Sequence, residues 1–203
     1  KEDPLDALLW LSQRDGEPGW QSSFGPGRPG WHIECSAIAL KYLNISATDE
    51  FSIDIQGGGS DLIFPHHEMS AAQSVAMTGQ KFSRTYVHAG MVGLDGQKMS
   101  KSLGNLVFVS RLIAEGVEPV AIRWALMGHD YREDLMWRAE LIENATIEIE
   151  RLRSNLSRVD VAPTSNLIQA ICDGLSQNLD TPRVLQVIRT WMDETERGAV
   201  GGE

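Results

Sequence analysis

Two strand-like segments joined by one helix-like segment constrain the fold of this chain more than any other feature. Residues 51–56 alternate apolar and polar side chains, which is typical of a β-strand, and Gly57-Gly58-Gly59 ends that run. Residues 65–75 have a helical pattern, and residues 85–92 form a second strand-like run that the turn signal Asp95-Gly96 follows. A strand, a helix and a strand in this order predict a parallel pair with a crossover helix.

Helical patterns precede and follow this unit. Residues 33–43 predict a helix that begins near Cys35 and places Ile38, Ala39 and Tyr42 on one face. Further along, Thr181 followed by proline is typical of a capped helix start. The 3.6-residue spacing in the second half predicts buried helix faces formed by Leu141, Ala145, Ile149, Leu152, Leu156, Ile168, Ile171, Leu175, Leu179, Val184, Leu185, Ile188 and Trp191.

The fold class that follows is α/β. We expect a parallel sheet with crossover helices in residues 1–110 and an α-helical bundle in residues 111–203, with the boundary between residues 105 and 118. The chain opens at Lys1 without an initiator methionine or a signal peptide, and it ends in a glycine-rich tail, so we expect a piece of a longer protein.

Charge and cysteine content exclude several classes of function. The 203 residues include 18 basic and 28 acidic side chains, a net charge of −10, which argues against a surface for nucleic acid or for an anionic membrane. No apolar run approaches the roughly 18 residues of a membrane span. Two cysteines are too few for a disulfide scaffold, and a reducing cytoplasm is the expected location.

The run Lys98-Met99-Ser100-Lys101-Ser102 is the densest chemical signal. Two lysines and two hydroxyls on one loop after a strand and a turn suit the charge of a triphosphate that loses pyrophosphate. Lysine supplies a point charge on a flexible stem, which suits a loop that follows moving phosphates. The alternative is a solvated loop without a ligand.

Two further groups of residues suggest binding chemistry. Cys35 and the Pro65-His66-His67-Glu68 segment contain zinc-type ligands, too few for a closed site and compatible with an open one. The alternative is an inert thiol and hydrogen-bonded histidines at a helix start. Gly57-Gly58-Gly59-Ser60-Asp61 allows backbone to approach a nucleotide and a carboxylate to accept from ribose, although Asp61 alone is equally typical of a turn or cap. Trp31 and His32 suit a pocket wall or a core.

These residues carry a resemblance to a known family. Lys98 to Ser102 matches the KMSKS signature of class I aminoacyl-tRNA synthetases, and residues 27–37 and 57–68 read GRPGWHIECSA and GGGSDLIFPHHE. Both strings resemble the cysteine-activating branch, which contains cysteinyl-tRNA synthetase and the ATP-dependent mycothiol ligase that joins cysteine to the amine of glucosaminyl-inositol. The resemblance covers residues 1–138 and, more loosely, the helical half.

The resemblance favours the ligase over the synthetase. The synthetase pattern has a second glutamate as a zinc ligand where this chain has Ser70, and residues 1–10, residues 128–132 and Trp137 also look more like the ligase. The acidic helical half has no evident surface for tRNA. The stretch from residue 44 to residue 50 is longer than in either relative and is expected to form a surface excursion.

The resemblance also implies roles for individual residues. Cys35 and His66 would hold Zn²⁺ with a third cysteine upstream of Lys1, and the substrate thiolate would take the open position. Trp31 would wall the cysteine pocket above a floor of His32 and His88. ATP, with Mg²⁺, would bind through the Gly59 backbone, Asp61, the Val92 backbone, Lys98, Met99, Ser100 and Lys101, and the two lysines would act on the β and γ phosphates.

The implied reaction has two steps, formation of cysteinyl adenylate and transfer to the amino sugar. The HIGH signature of class I enzymes is absent from this chain, so we expect a separate N-terminal half to carry it and the fragment alone to be inactive. Two alternatives stay open at this stage. One is a cysteinyl-tRNA synthetase, and the other is a nucleotide- or zinc-binding module without catalysis.

Overall fold

The computed structural model describes residue 3, residues 5–44 and residues 48–202. Residues 45–47, in the middle of the expected surface excursion, lie outside the described residues. The strands are β1 (Trp10–Ser12), β2 (Gly27–Pro29), β3 (Phe51–Gly59), β4 (Lys81–Ala89), β5 (Val92–Leu94), β6 (Gln97–Lys98) and β7 (Leu135–Trp137). The α-helices are α1 (Trp31–Leu43), α2 (Glu68–Thr78), α3 (Val109–Ala114), α4 (Pro119–Met127), α5 (Ala139–Leu156), α6 (Ser165–Ser176) and α7 (Thr181–Glu196).

The predicted strand–helix–strand unit is confirmed. β3 and β4 pair in parallel from Phe51 opposite Lys81 to Gly59 opposite Ala89, and α2 is the crossover helix between them. The glycine triplet forms the last three residues of β3 instead of ending the strand before it. The second predicted strand is divided, because β4 ends at Ala89 and β5 begins at Val92.

Two glycines, Gly79 and Gly96, lie where the backbone adopts a left-handed conformation. Gly79 has φ +72° after α2, and its N–H donates to the Val75 carbonyl, which closes the helix. The Asp95-Gly96 turn joins β5 to β6 with φ values of +53° and +77°. Positive φ at both central residues is the geometry of a type I′ hairpin, so this turn prediction is confirmed.

The buried face of α1 differs from the prediction. Ile38 is 52% exposed and Tyr42 is 71% exposed, whereas Ser36 is completely buried. The Ser36 Oγ lies 2.9 Å from the His32 carbonyl in α1 and 3.2 Å from the Ser70 carbonyl in α2, so the two carbonyls share the hydroxyl as their hydrogen-bond donor. A serine contact of this kind lets the two helices approach closely, and the face that packs is therefore the small polar one.

Helices α5 and α7 bury most of their predicted faces. Ala145 and Ile149 pack with Ala121 and Ala125 of α4, while Trp191 of α7 packs in a second cluster. Val184 and Leu185 are also buried, as predicted.

The predicted buried face of α6 is wrong, because Ile168 is 59% exposed and Leu175 is 39% exposed, whereas Gly174 is buried. Predictions also fail at two helix ends. Leu156 is 64% exposed at the end of α5, and Leu179 follows α6 with φ +59°. The cap of α7 is Asp180, whose side chain accepts from the Arg183 N–H, so Thr181 is not the capping residue.

The described residues divide into two compact units, Lys1–Ala89 and Gly90–Glu203. The predicted division near residue 110 separates a nucleotide-binding part from a helical bundle, and it stays a prediction. Within the described part of the chain, every helix is too short or too polar to cross a bilayer. The cytoplasmic location also stays a prediction.

Candidate functional site

Four histidine rings form a row in the first unit. The Nδ1 atoms of His32 and His66 lie 2.8 Å apart, and His67 Nδ1 lies 2.7 Å from His88 Nε2. The neighbouring rings of His66 and His67 have centroids 5.7 Å apart. His32 opens α1, His66 and His67 follow β3, and His88 lies near the end of β4, so the carboxyl ends of two parallel strands meet a helix start here.

The Trp31 ring stacks on His66, one of the four histidines of this row. Their ring centroids lie 4.3 Å apart with an interplanar angle of 28°. His66 is 7% exposed, and burial, followed by the neighbouring His32, lowers its pKa and favours the neutral ring. The structure thus places Trp31, His32 and His66 together, and the roles of Trp31 and His32 in a cysteine pocket stay predictions.

Cys35 lies one turn further along α1 and is partly exposed. Burial and the nearby Glu34 carboxylate raise the pKa of its thiol, against a smaller lowering effect of Trp31. A cysteine in this environment is a thiol in the absence of a cation, and a bound cation would favour the thiolate.

The fit of these residues to zinc can be tested on their donor atoms. A thiolate and a neutral imidazole are the ligands that zinc prefers. His66 Nδ1 faces His32, which leaves Nε2 as the nitrogen available to a metal. The buried Ser70 Oγ has no hydrogen-bond partner, and the Ser70 carbonyl accepts from the hydroxyl of Ser36, the neighbour of Cys35.

Cys35 and His66 therefore fit as two members of a ligand set. Among the described residues no group of three or more histidine, cysteine, aspartate or glutamate side chains could hold a metal. The zinc ligands stay a prediction.

The pairing of His67 with His88 depends on Gly58. A Cβ at Gly58 would lie 2.7 Å from His67 Cε1, whereas one at Gly57 would meet only the Val87 carbonyl at 3.8 Å. His67 is 4% exposed, and together with His88, Glu68 and Tyr86 it lines a cavity of about 270 Å³. From sequence, His67 was only one of two adjacent histidines without an assigned role, and the strand register that puts Gly58 opposite His88 shows its partner.

We expect the two glycines to respond differently to alanine. In the full-length protein, Gly58→Ala should lower the free energy of unfolding by about 1–3 kcal/mol, because the His67 ring must move out of its place. Gly57→Ala is the matched control, and it should change that free energy by no more than about 1 kcal/mol. Urea denaturation of both variants measures the difference. Equal stabilities would show that His67 does not pack against Gly58.

Gly59 and Asp61 lie at the carboxyl end of β3, and their contact with ribose stays a prediction. Gly59 is the last residue of β3, opposite Ala89, and Asp61 is exposed in the single 3₁₀ turn that follows, Ser60–Leu62. Ligands of open α/β sheets bind in the crevice beyond the carboxyl ends of the strands. The position of Asp61 is compatible with that type of crevice.

The remaining predicted residues belong to the second unit. Val92 begins β5 opposite Leu135 of β7, and Lys98 ends β6. Lys98 and Lys101 are exposed, while Met99 and Ser100 are half-buried. The structure thus presents both lysines on one exposed loop after a hairpin, and it partly encloses the two residues between them.

A larger cavity of about 430 Å³ lies elsewhere in the second unit. Trp124, Glu148 and Arg189 line it, and the Glu148 carboxylate accepts hydrogen bonds from the Trp124 indole N–H and from the Arg189 guanidinium. Trp124, Glu148 and Arg189 satisfy one another, whereas the buried Nε2 of His129 in the same lining has no hydrogen-bond partner, and no predicted site residue lines the cavity. We interpret it as a feature of helix packing.

Residues 1–147 match the family described as the tRNA synthetases class I (C) catalytic domain. An L-cysteine:1D-myo-inositol 2-amino-2-deoxy-alpha-D-glucopyranoside ligase of Saccharomonospora viridis is 55% identical over 207 residues, which cover 100% of this chain and 48% of the relative. The protein of the same name from Streptomyces coelicolor is 50% identical over 193 residues, which cover 94% and 46%. The chain thus spans about half the length of the curated relatives it matches.

Solved structures show the same architecture at low identity. The LeuRS of Agrobacterium radiobacter K84, in a ternary complex with tRNA and LeuAMS, is 17% identical with a TM-score of 0.65, over 93% of this chain and 32% of that one. Mycobacterium tuberculosis methionyl-tRNA synthetase bound by methionyl-adenylate is 18% identical with a TM-score of 0.54, over 71% and 33%. These likenesses concern the fold alone, and they confirm the predicted α/β class.

Proposed function

Because the chain belongs to the class I tRNA synthetase (C) catalytic-domain family, we propose that it is part of an ATP-dependent ligase that activates L-cysteine and joins it to the amine of glucosaminyl-inositol. The observation that carries this proposal is 50–55% identity, over nearly the whole chain, to relatives named as ligases of cysteine and that amino sugar. Ser70, in the position of a glutamate ligand of the related synthetase, supports the same choice.

The reaction has two balanced steps. An oxygen of the cysteine carboxylate attacks the α-phosphorus of ATP, and the bond from that phosphorus to pyrophosphate breaks, which gives cysteinyl adenylate. The amine nitrogen of the acceptor then attacks the activated carbonyl, the bond to the AMP oxygen breaks, and the nitrogen loses a proton. An amide, AMP and pyrophosphate are the products.

The first unit would bind the amino acid and the nucleoside. The Trp31 ring, already stacked on His66, would form one wall of the cysteine pocket, and His32 and His88 would line its floor. The Gly59 backbone and the Asp61 carboxylate, which follow one another at the end of β3, would bind ribose.

The second unit would bind the rest of ATP. The Val92 backbone at the start of β5 would contact adenine, while Lys98 and Lys101, with Met99 and Ser100 between them, would contact the β and γ phosphates of Mg²⁺-bound ATP. Charge on these phosphates grows as pyrophosphate leaves, and two ammonium groups on one loop stabilise it.

Cys35 Sγ and His66 Nε2 would hold Zn²⁺ together with a cysteine from outside this chain. When bound there, zinc prefers the substrate thiolate to a hydroxyl and so favours cysteine over serine. His32 fixes the ring of His66 through the contact between their Nδ1 atoms.

The full reaction also requires residues outside this chain. The chain covers 48% of the relative from Saccharomonospora viridis, and we propose that the rest of the full-length protein carries the HIGH loop. On this proposal the chain alone is inactive, and it binds neither tRNA nor a membrane.

Cysteine-dependent exchange of pyrophosphate into ATP tests the activation step. The full-length protein should catalyse exchange with L-cysteine and at least about 100-fold more slowly with L-serine, since a site that binds a specific group rejects the analogue without it. Exchange that is equal with both amino acids would contradict the proposal.

A further inference from the structure

The loop that follows β6 has few regular contacts of its own. Residues 99–108 contain serines, a glycine and a lysine, and they form no helix or strand. A backbone of this composition is mobile unless other groups order it. Lys98 and Lys101 act on phosphates from this backbone in the proposed function, so whatever orders the loop affects both lysines.

Asn105 bridges two backbone groups on the opposite side of this loop. Its side-chain Oδ1 accepts a hydrogen bond of 2.9 Å from the Ser100 N–H, and its Nδ2 donates one of 3.3 Å to the Lys98 carbonyl. A residue on a neighbouring parallel strand makes the same two bonds to a chain, one to residue i and one to residue i+2. The Asn105 amide therefore acts as a one-residue strand partner for the segment from Lys98 to Ser100.

The other hydrogen bonds of the loop have a shorter range. The Ser100 Oγ accepts from the Leu103 N–H at 3.3 Å, and the Gly104 N–H donates to the Lys101 carbonyl at 3.2 Å. Gly104 has φ +65°, and this left-handed residue returns the chain toward Lys98. These bonds shape the turn, whereas Asn105 joins its two ends across five and seven residues.

The bridge requires a side-chain amide. Asparagine offers a donor and an acceptor at once, and the loop uses both. Aspartate at this position keeps the acceptor for the Ser100 N–H and places a second acceptor against the Lys98 carbonyl. Alanine removes both bonds.

We propose that Asn105 is a positioning residue that keeps the backbone of residues 98–105, which carries Lys98 and Lys101, ordered before ATP binds. Its consequence for catalysis rests on the proposed function, because an ordered loop places the ammonium groups of Lys98 and Lys101 without a further entropic cost as pyrophosphate leaves. Asn105 itself does not touch the reacting atoms.

Limited trypsin digestion of the full-length protein tests this ordering directly. Trypsin cleaves after lysine, so cleavage after Lys98 and Lys101 reports how often the loop opens. Asn105→Ala should accelerate this cleavage by about 5- to 30-fold, as expected for the loss of two hydrogen bonds. Asn105→Asp should give an intermediate rate. The control Asn144→Ala, at an exposed asparagine on α5, should leave the rate unchanged.

Pyrophosphate exchange separates positioning from a general loss of structure. Asn105→Ala should lower kcat for exchange while the KM for cysteine stays at its parental value, because cysteine binds in the other unit. Cleavage after Lys98 and Lys101 at the parental rate would overturn the proposal, and so would equal acceleration of cleavage at sites throughout the protein. If the parent shows no cysteine-dependent exchange, the proposed function fails, and the digestion still decides the role of Asn105.

Discussion

Full-length protein carrying Cys35→Ala is expected to lose its zinc and to lose cysteine activation by more than about 100-fold. The substitution removes one of the two zinc ligands, Cys35 and His66, that this chain is proposed to supply. Even changes to residues that only contact the ligands typically cost about 10- to 100-fold in zinc affinity or activity, so the loss of a ligand should cost more. Elemental analysis of the purified protein gives the zinc content, and pyrophosphate exchange gives the activity.

Cys172 offers a matched control for this substitution. It is the other cysteine of the chain, and it lies exposed on α6. Cys172→Ala should keep about one zinc ion per protein and parental exchange. His66→Ala should behave as Cys35→Ala does, and circular dichroism should show that both variants keep their helices. Full zinc occupancy in a folded Cys35→Ala protein would refute the ligand assignment.

Lys101→Ala is expected to lower kcat for adenylate formation by about 100- to 1,000-fold, the usual effect of removing one group that stabilises charge in a transition state. The KM for cysteine should change little, since Lys101 acts on charge that develops as pyrophosphate leaves. Steady-state exchange at varied ATP and cysteine separates the two parameters.

Lys81 provides the control for charge alone. It is an exposed lysine at the start of β4, paired with Glu50 on the surface, and such pairs contribute little to stability. Lys81→Ala should leave both kcat and KM unchanged. An effect of Lys101→Ala confined to the KM for cysteine would contradict the role proposed for its ammonium group.

Local patterns predicted the parts of the fold that local physics decides. The alternation over residues 51–56 and the Asp95-Gly96 signal each depend on neighbours in sequence, and both the strand pair and the hairpin are present. Helix ends were less predictable. Asp180 caps α7 instead of Thr181, because the side chain that reaches the Arg183 N–H comes one residue earlier.

Residue types and motifs selected the candidate site residues, whose roles stay predictions, but the contacts among them could not be predicted. The contacts of His67 were not predicted, because its partner His88 lies 21 residues away and Gly58 makes room for its ring. The role of Asn105 was not predicted for a similar reason, since only the folded loop brings its side-chain amide to Lys98 and Ser100. The zinc ligands stay a prediction, because the third ligand is expected upstream of Lys1 and no group of three candidate ligands is present among the described residues.

The identity of the acceptor distinguishes the proposed ligase from a cysteinyl-tRNA synthetase. Release of AMP by the full-length protein should be measured with ATP and cysteine present, with glucosaminyl-inositol, with tRNA and with neither. We expect the amino sugar to stimulate AMP release and tRNA not to stimulate it. Stimulation by tRNA alone would contradict it, and the protein would then be a synthetase with serine in place of a glutamate beside its zinc ligands.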